Sequence, residues 1–162
     1  MNFEECVEFI KSKHNGQKRK HGTDYYLHPL RVSEMLKEKG FNEYYQITGL
    51  FHDLLEDTDC TYEDIIDISN KDIADAVVLV TKEDGYDMDD YINRIKNNDI
   101  AHMVKLADRI HNLSEAYLAD KKFQDKYLKE TEKYYLDLAH DTVFESDMNK
   151  VYKDLKEFYE KN

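Results

Sequence analysis

The sequence has no tryptophan, a single proline and only five glycines in 162 residues. So little Pro and Gly leaves few sites for the tight turns that hairpin-rich folds require. Strands are therefore expected to be scarce. The two cysteines, Cys6 and Cys60, lie far apart and match no zinc or redox spacing, so reduced thiols and a cytoplasmic setting are expected. No apolar run approaches the length of a membrane span. The opening Met1-Asn2-Phe3-Glu4-Glu5 lacks the basic start and apolar core of a signal peptide. Positive charge is scarce as well: 23 Lys and Arg face 35 Asp and Glu, for a net charge of −12. That balance argues against non-specific binding to nucleic acid or to an anionic membrane.

What is present is helical periodicity and tyrosine, 13 of them, whose rings can pack while their hydroxyls stay wet. The expected fold is all-α, one domain over 1–162, with a core over about 1–120 and a closing helical hairpin over about 121–162. The pattern predicts helices over 3–12, 28–39, 42–57, 61–68, 72–80, 88–96, 99–116, 123–143 and 146–160. Thr61 with Asp64 three residues on reads as an N-cap. Phe3, Val7 and Ile10 mark the first core face, and Leu128, Tyr134, Tyr135, Leu138, Val143, Val151, Leu155 and Phe158 the last one. His140 reads as an ordinary helix residue.

Three stretches carry chemistry. The first is the loop Lys13-His14-Asn15-Gly16-Gln17-Lys18-Arg19-Lys20-His21-Gly22-Thr23-Asp24-Tyr25-Tyr26-Leu27-His28-Pro29, the one basic segment of an acidic chain and a candidate phosphate-binding surface. The second is Ile47-Thr48-Gly49-Leu50-Phe51-His52-Asp53-Leu54-Leu55-Glu56-Asp57-Thr58. On a continuous helix its apolar stripe leaves His52 above Glu56 and Asp53 above Asp57, two rows one turn long. An imidazole beside a carboxylate suits a divalent metal, and further carboxylates one turn on can move protons or orient water. Taken alone, Glu56 and Asp57 are equally well a solvated polar face. The third stretch is Lys105-Leu106-Ala107-Asp108-Arg109-Ile110-His111-Asn112. Here Met103, Leu106, Ile110 and Leu113 form the expected buried stripe, and Lys105, Asp108, Arg109 and Asn112 sit away from it. Alone, Asp108 between a cation and an amide reads as a structural ion-pair cluster.

The order of these three stretches resembles the HD-domain metal-dependent phosphohydrolases, and more narrowly the hydrolase domain of the RelA/SpoT alarmone enzymes and the stand-alone alarmone hydrolases. The resemblance covers about the first three-quarters of the chain. It implies His28, His52, Asp53 and Asp108 as metal ligands and Glu56 and Asp57 as the catalytic acidic pair. It implies Arg19, Lys20 and Tyr25 as the nucleotide-facing loop, with Lys105 and Asn112 as further substrate contacts. Two imidazoles and two carboxylates form a mixed nitrogen and oxygen site that suits Mn2+, with iron, cobalt or nickel as rivals. The implied reaction removes the 3′-pyrophosphate of ppGpp or pppGpp, giving GDP or GTP and pyrophosphate. Two other readings stand beside it: a phosphatase for NADPH, a deoxynucleotide or another small phosphoester, and a nucleotide-binding module without turnover. The partner expected on the first reading is a small nucleotide, with no nucleic acid and no membrane.

Overall fold

The computed structural model describes all 162 residues. It is all-α, as the sequence predicts, and no helix is long and apolar enough to cross a membrane. The chain divides into two compact units, residues 1–105 and 106–162.

The first unit contains α1 (Phe3–Lys13), α2 (Leu27–Glu38), α3 (Glu43–Phe51), α4 (Leu54–Asp57), α5 (Tyr62–Ile68), α6 (Lys71–Val80) and α7 (Met88–Lys96), and the start of α8 (Asp99–Glu115). Side-chain caps start several of them. Asn2 accepts from the Glu5 N–H, and Asn42, Asn70 and Asp87 cap α3, α6 and α7 in the same way. Thr61 and Asp64 form the reciprocal capping box expected from the sequence. Pro29 lies in the first turn of α2, where its missing N–H costs nothing. Gly40 follows α2 at φ +87°, the left-handed conformation that ends a helix most cheaply in glycine.

The core of this unit joins Cys6 and Ile10 of α1, Ile47, Leu50 and Phe51 of α3, Leu54 of α4, and Ile65, Ile73 and Val77 of α5 and α6. Each such Ile, Leu or Phe contributes about 1.5–3 kcal/mol by leaving water. Cys6 and Cys60 are free and buried, and burial pushes both thiols up to about 11, so they serve as small apolar residues. Helices α2 and α3 pack closely at Gly49: a methyl there would lie 3.0 Å from Leu36 Cδ1 and 3.3 Å from Val32 Cγ1.

The single helix expected over 42–57 is two, and the break falls at His52-Asp53. The His52 side chain causes it: Nδ1 lies 2.6 Å from the Gly49 carbonyl, so the imidazole occupies an oxygen at the point where the helix would continue. The two stacked rows are therefore not a feature of one continuous helix, although Asp57 N still donates to Asp53 O at 3.0 Å in the short turn that follows.

The second unit holds the rest of α8, a 3₁₀ turn (Ala116–Leu118), α9 (Lys121–Glu130), a π-helical turn (Thr131–Tyr135), α10 (Leu136–Ala139) and α11 (Glu145–Lys161). The predicted helix over 123–143 is thus interrupted and ends four residues early. Thr131 Oγ1 bonds the Tyr127 carbonyl at 2.7 Å, and this competition with the ladder coincides with the wider turn. Within this unit the Arg109 guanidinium lies 4.1 Å from the Tyr127 ring centre and 4.0 Å from that of Tyr135, with Glu130 at 3.2 Å. Burial opposes its charge, but the two tyrosines and Glu130 outweigh burial and hold it above the ordinary arginine range. Arg109, expected away from the buried stripe of α8, is only 2% exposed, and Lys105 and Asp108 are buried too. Conversely, Val143 and Phe158, expected in the core, are 53% and 37% exposed. Val143 lies in the connection that replaces the end of the predicted helix.

That connection carries His140, which follows α10 rather than lying within it. Its Nδ1 is 2.6 Å from Glu145 Oε2, which also accepts the Asp141 N–H at 3.0 Å. The Asp141 N–H and then His140 lower the Glu145 carboxyl; Glu145 and then Asp141 raise the His140 imidazole. Glu145's contribution to stability is present above its unfolded value and lost as pH falls. His140's is present below its unfolded value and lost as pH rises. Both hold together between roughly pH 4.3 and 6.5. His140→Ala is expected to lower Tm more near about pH 5.5 than near about pH 8.5. Thermal melts at the two values check this; equal losses would mean that the pairing adds nothing.

Candidate active site

The loop between α1 and α2 is fixed by its own backbone. Arg19 N–H donates to Thr23 O at 2.8 Å, Gly22 N–H to Arg19 O at 2.9 Å and Tyr25 N–H to Gln17 O at 2.9 Å. Gly22, at φ +100°, supplies the reversal, and Lys18 pairs with Asp24 across it. Arg19 and Lys20 therefore sit on a short folded turn. The loop runs into α2, whose second residue is His28.

His28 and His52, both buried, face each other with ring centres 5.1 Å apart, and each offers a nitrogen to a common point. Asp53 joins them: its Oδ2 lies 3.1 Å from His52 Nε2 and 3.7 Å from His28 Nε2. Ligand atoms about 2.1 Å from one ion stand roughly 3 Å from one another, so these separations suit a shared cation.

The donor chemistry supports that fit. The Gly49 carbonyl can only accept, so His52 carries its proton on Nδ1. A neutral His52 then turns a bare Nε2 lone pair toward a carboxylate oxygen 3.1 Å away. Two acceptors at that distance repel unless a positive charge, a proton or a metal ion, lies between them. A backbone carbonyl behind one imidazole nitrogen is also the usual support for metal binding by the other. Tyr25 completes the set, donating its hydroxyl to the same Asp53 oxygen at 2.7 Å. The tyrosine expected to face a nucleotide is thus hydrogen-bonded to Asp53.

Glu56 and Asp57 follow on α4, their side chains reaching solvent on one side and crowded by protein on the other. Burial by surrounding protein raises the Glu56 carboxyl; the Lys82 N–H, bonded to Oε1, opposes this, Asp53 and Asp57 add to it, and Lys105 opposes again. The net direction is upward. Asp57 is raised by burial and by Asp53, against the Tyr25 hydroxyl and the neighbouring imidazoles of His14 and His52. Both carboxylates are thus shifted toward the range in which a group accepts and releases protons near neutral pH. Lys105 is buried, with its ammonium 5.6 Å from the Tyr91 ring centre. Lys82 stands 5.5 Å from the same ring.

Asp108 and Asn112 belong to the second unit. Asp108 is 5% exposed and accepts from Asn112 Nδ2 at 3.1 Å, the i to i+4 pairing read from the sequence.

Three residues without a role in the sequence reading touch this site. Lys82 reaches Glu56 through its backbone, which no side-chain pattern can reveal. Gln17 donates from Nε2 to the Asp57 carbonyl at 2.8 Å, and its Oε1 lies 2.9 Å from His14 Nδ1. The spacing of His14 and Gln17, three apart in a basic loop, was the available signal.

Comparison with known proteins places these observations among relatives. Residues 6–90 match the model of the HD domain, a stretch that contains His28, His52, Asp53, Glu56 and Asp57 and stops before Asp108. The chain is 35% identical over 146 residues to the guanosine-3′,5′-bis(diphosphate) 3′-pyrophosphohydrolase of Aquifex aeolicus, covering 85% of this chain and 21% of that protein. It is 32% identical over 156 residues to the GTP pyrophosphokinase of Streptomyces coelicolor, covering 85% and 17%. The chain therefore spans about a fifth of the length of the curated relatives it matches. Among solved structures, one described as a metazoan ortholog of SpoT that hydrolyzes ppGpp superimposes with a TM-score of 0.82 at 24% identity, covering 94% of each chain. At that identity the match establishes the fold.

Proposed function

The chain belongs to the HD domain family, and from that premise we propose that it hydrolyses the 3′-pyrophosphate of guanosine 3′,5′-polyphosphates, giving GDP or GTP and pyrophosphate. The observation that carries this reading is the Asp53 carboxylate facing two imidazole nitrogens, one of them a bare lone pair, beside two carboxylates with raised pKa. The relative from Aquifex aeolicus bears the name of this activity. Both compact units are assigned to one catalytic domain, because the third chemistry-bearing stretch, Lys105 to Asn112, crosses from one to the other.

His28, His52 and Asp53 would hold one divalent cation, with Asp108 as fourth ligand on the resemblance of its segment; manganese suits this donor set. The ion, when bound, would act as a Lewis acid on phosphoryl oxygens. The chain's own groups do the rest. Glu56 accepts the proton of the attacking water, with its carboxylate held in place by the Lys82 N–H. Asp57 shares that role. Tyr25 holds the Asp53 carboxylate in one orientation. Arg19 and Lys20 bind the substrate phosphates that are not cleaved, and Lys105 and Asn112 make further contacts. A substrate phosphorylated at both the 3′ and 5′ positions would use the ligand cluster and the basic turn together, whereas a simple monophosphate would use one of them.

A nucleotide panel with added Mn2+ tests this. The expected result is that ppGpp, cleaved at the 3′ position, has clearly higher kcat/KM than NADPH or a 5′-deoxynucleotide. Arg19→Ala should raise KM more than it lowers kcat, because a phosphate contact remote from the reacting bond acts through binding. Equal or faster turnover of NADPH or a deoxynucleotide would assign the same site to another phosphoester.

A further inference from the structure

The loop between α1 and α2 holds a histidine that the reaction outlined above does not use. His14 is 1% exposed. Its Nδ1 lies 2.9 Å from Gln17 Oε1, and its Nε2 is buried without a hydrogen-bond partner. The far end of the Gln17 side chain decides which nitrogen carries the proton. Gln17 Nε2 donates to the Asp57 carbonyl, and a carbonyl only accepts, so the amide must turn its NH2 toward Asp57 and its oxygen toward His14. That oxygen also only accepts. His14 must therefore carry its proton on Nδ1, leaving a lone pair on Nε2 when neutral.

The other neighbour of this ring is Tyr25, with ring centres 5.0 Å apart and planes tilted by 40°. Tyr25 in turn donates to Asp53. His14 thus stands behind two residues of the candidate site, reaching Asp57 through Gln17 and Asp53 through Tyr25. An unpaired buried nitrogen is unfavourable, so a site that required only a flat ring would be filled better by phenylalanine. What phenylalanine lacks is the Nδ1–H.

We propose that His14 is a positioning residue of the hydrolytic site, whose Nδ1–H fixes the Gln17 amide and through it the backbone of Asp57. The catalytic consequence rests on the function proposed above; the tautomer does not.

Two measurements test it. In ¹⁵N-resolved imidazole NMR of the full chain, His14 should show the Nδ1–H tautomer, the minor form of free histidine, and Gln17→Met should return it toward Nε2–H. In kinetics with Mn2+ and ppGpp, His14→Asn, which offers an amide N–H near the Nδ1 position, should keep kcat within about threefold of wild type. His14→Phe should lower kcat by about tenfold or more, the range for groups that support a ligand or catalytic residue, with KM and Mn2+ affinity little changed. If His14→Phe fails to fold, Gln17→Met serves as the kinetic variant, with the same loss expected. An Nε2–H tautomer in the wild type, wild-type kcat in His14→Phe, or equal losses in the Asn and Phe variants would each overturn the proposal. Wild-type protein that hydrolyses no nucleotide while His14 remains in the Nδ1–H form would refute the catalytic reading, and with it His14's role in the site, leaving the tautomer assignment standing.

Discussion

Replacing Glu56 by glutamine is expected to lower kcat by about 10²–10⁴-fold while leaving Mn2+ affinity and helix content unchanged. Glu56 Oε1 accepts the Lys82 N–H, and the amide oxygen of glutamine can accept the same bond, so the local geometry should survive. What glutamine cannot do is take a proton from water. The loss should therefore fall on kcat and kcat/KM alike, as it does for an interaction made only in the transition state. The wild-type pH profile should agree. Burial moves the Glu56 carboxyl above its ordinary value, and a base must be ionised to act, so activity should fall as pH drops through that raised value. The acid limb should be altered in E56Q. Near wild-type turnover with metal still bound would reduce Glu56 to a hydrogen-bond acceptor for the loop after α6.

The parts of this architecture that were legible in the sequence are those set by local chemistry. The Thr61 capping box and the bounds of α7 follow from side chains acting on their own turn. His52 and Asp53 stand out because His and Asp beside an apolar helical stripe are conspicuous, whereas His28 and Asp108 become candidate ligands only through the resemblance to the HD-domain phosphohydrolases. The features that escaped depend on contacts the periodic pattern does not encode. The break at His52-Asp53 arises because an imidazole bonds a carbonyl three residues back, and a hydrophobic stripe is blind to that. The burial of Arg109 needs two tyrosines and Glu130 from further along the chain, one of the rings, Tyr135, inside the π turn itself. The exposure of Val143 follows from the end of α10 at Ala139, where the apolar pattern continues but the helix does not. His14 and Gln17 look like polar loop residues until the Asp57 carbonyl is seen to be their endpoint.

Replacing His52 by alanine is expected to abolish Mn2+ binding and hydrolysis together. His52 brings a nitrogen already stripped of its proton by the Gly49 bond and buried to 4% exposure, so little reorganisation is needed to bind a cation. Alanine removes that nitrogen and frees the Gly49 carbonyl, which could let the helix run on through residue 52 and turn Asp53 away from His28. A loss of activity alone would not separate these effects, so Asp53→Asn is the companion variant. It keeps the shape and an oxygen for the Tyr25 hydroxyl but removes the charge. If Asp53 is a ligand, Asp53→Asn should weaken Mn2+ by more than about 100-fold, beyond the 10–100-fold typical of groups that only support a ligand. Calorimetric titration with Mn2+ alone, with no nucleotide present, reads this without reference to any substrate. Asp53→Asn and His52→Ala both binding Mn2+ as tightly as wild type would show that the cluster is held together by a proton on His52 rather than by a metal ion. The proposed hydrolysis would then lose its physical basis, whatever the chain's relatives do.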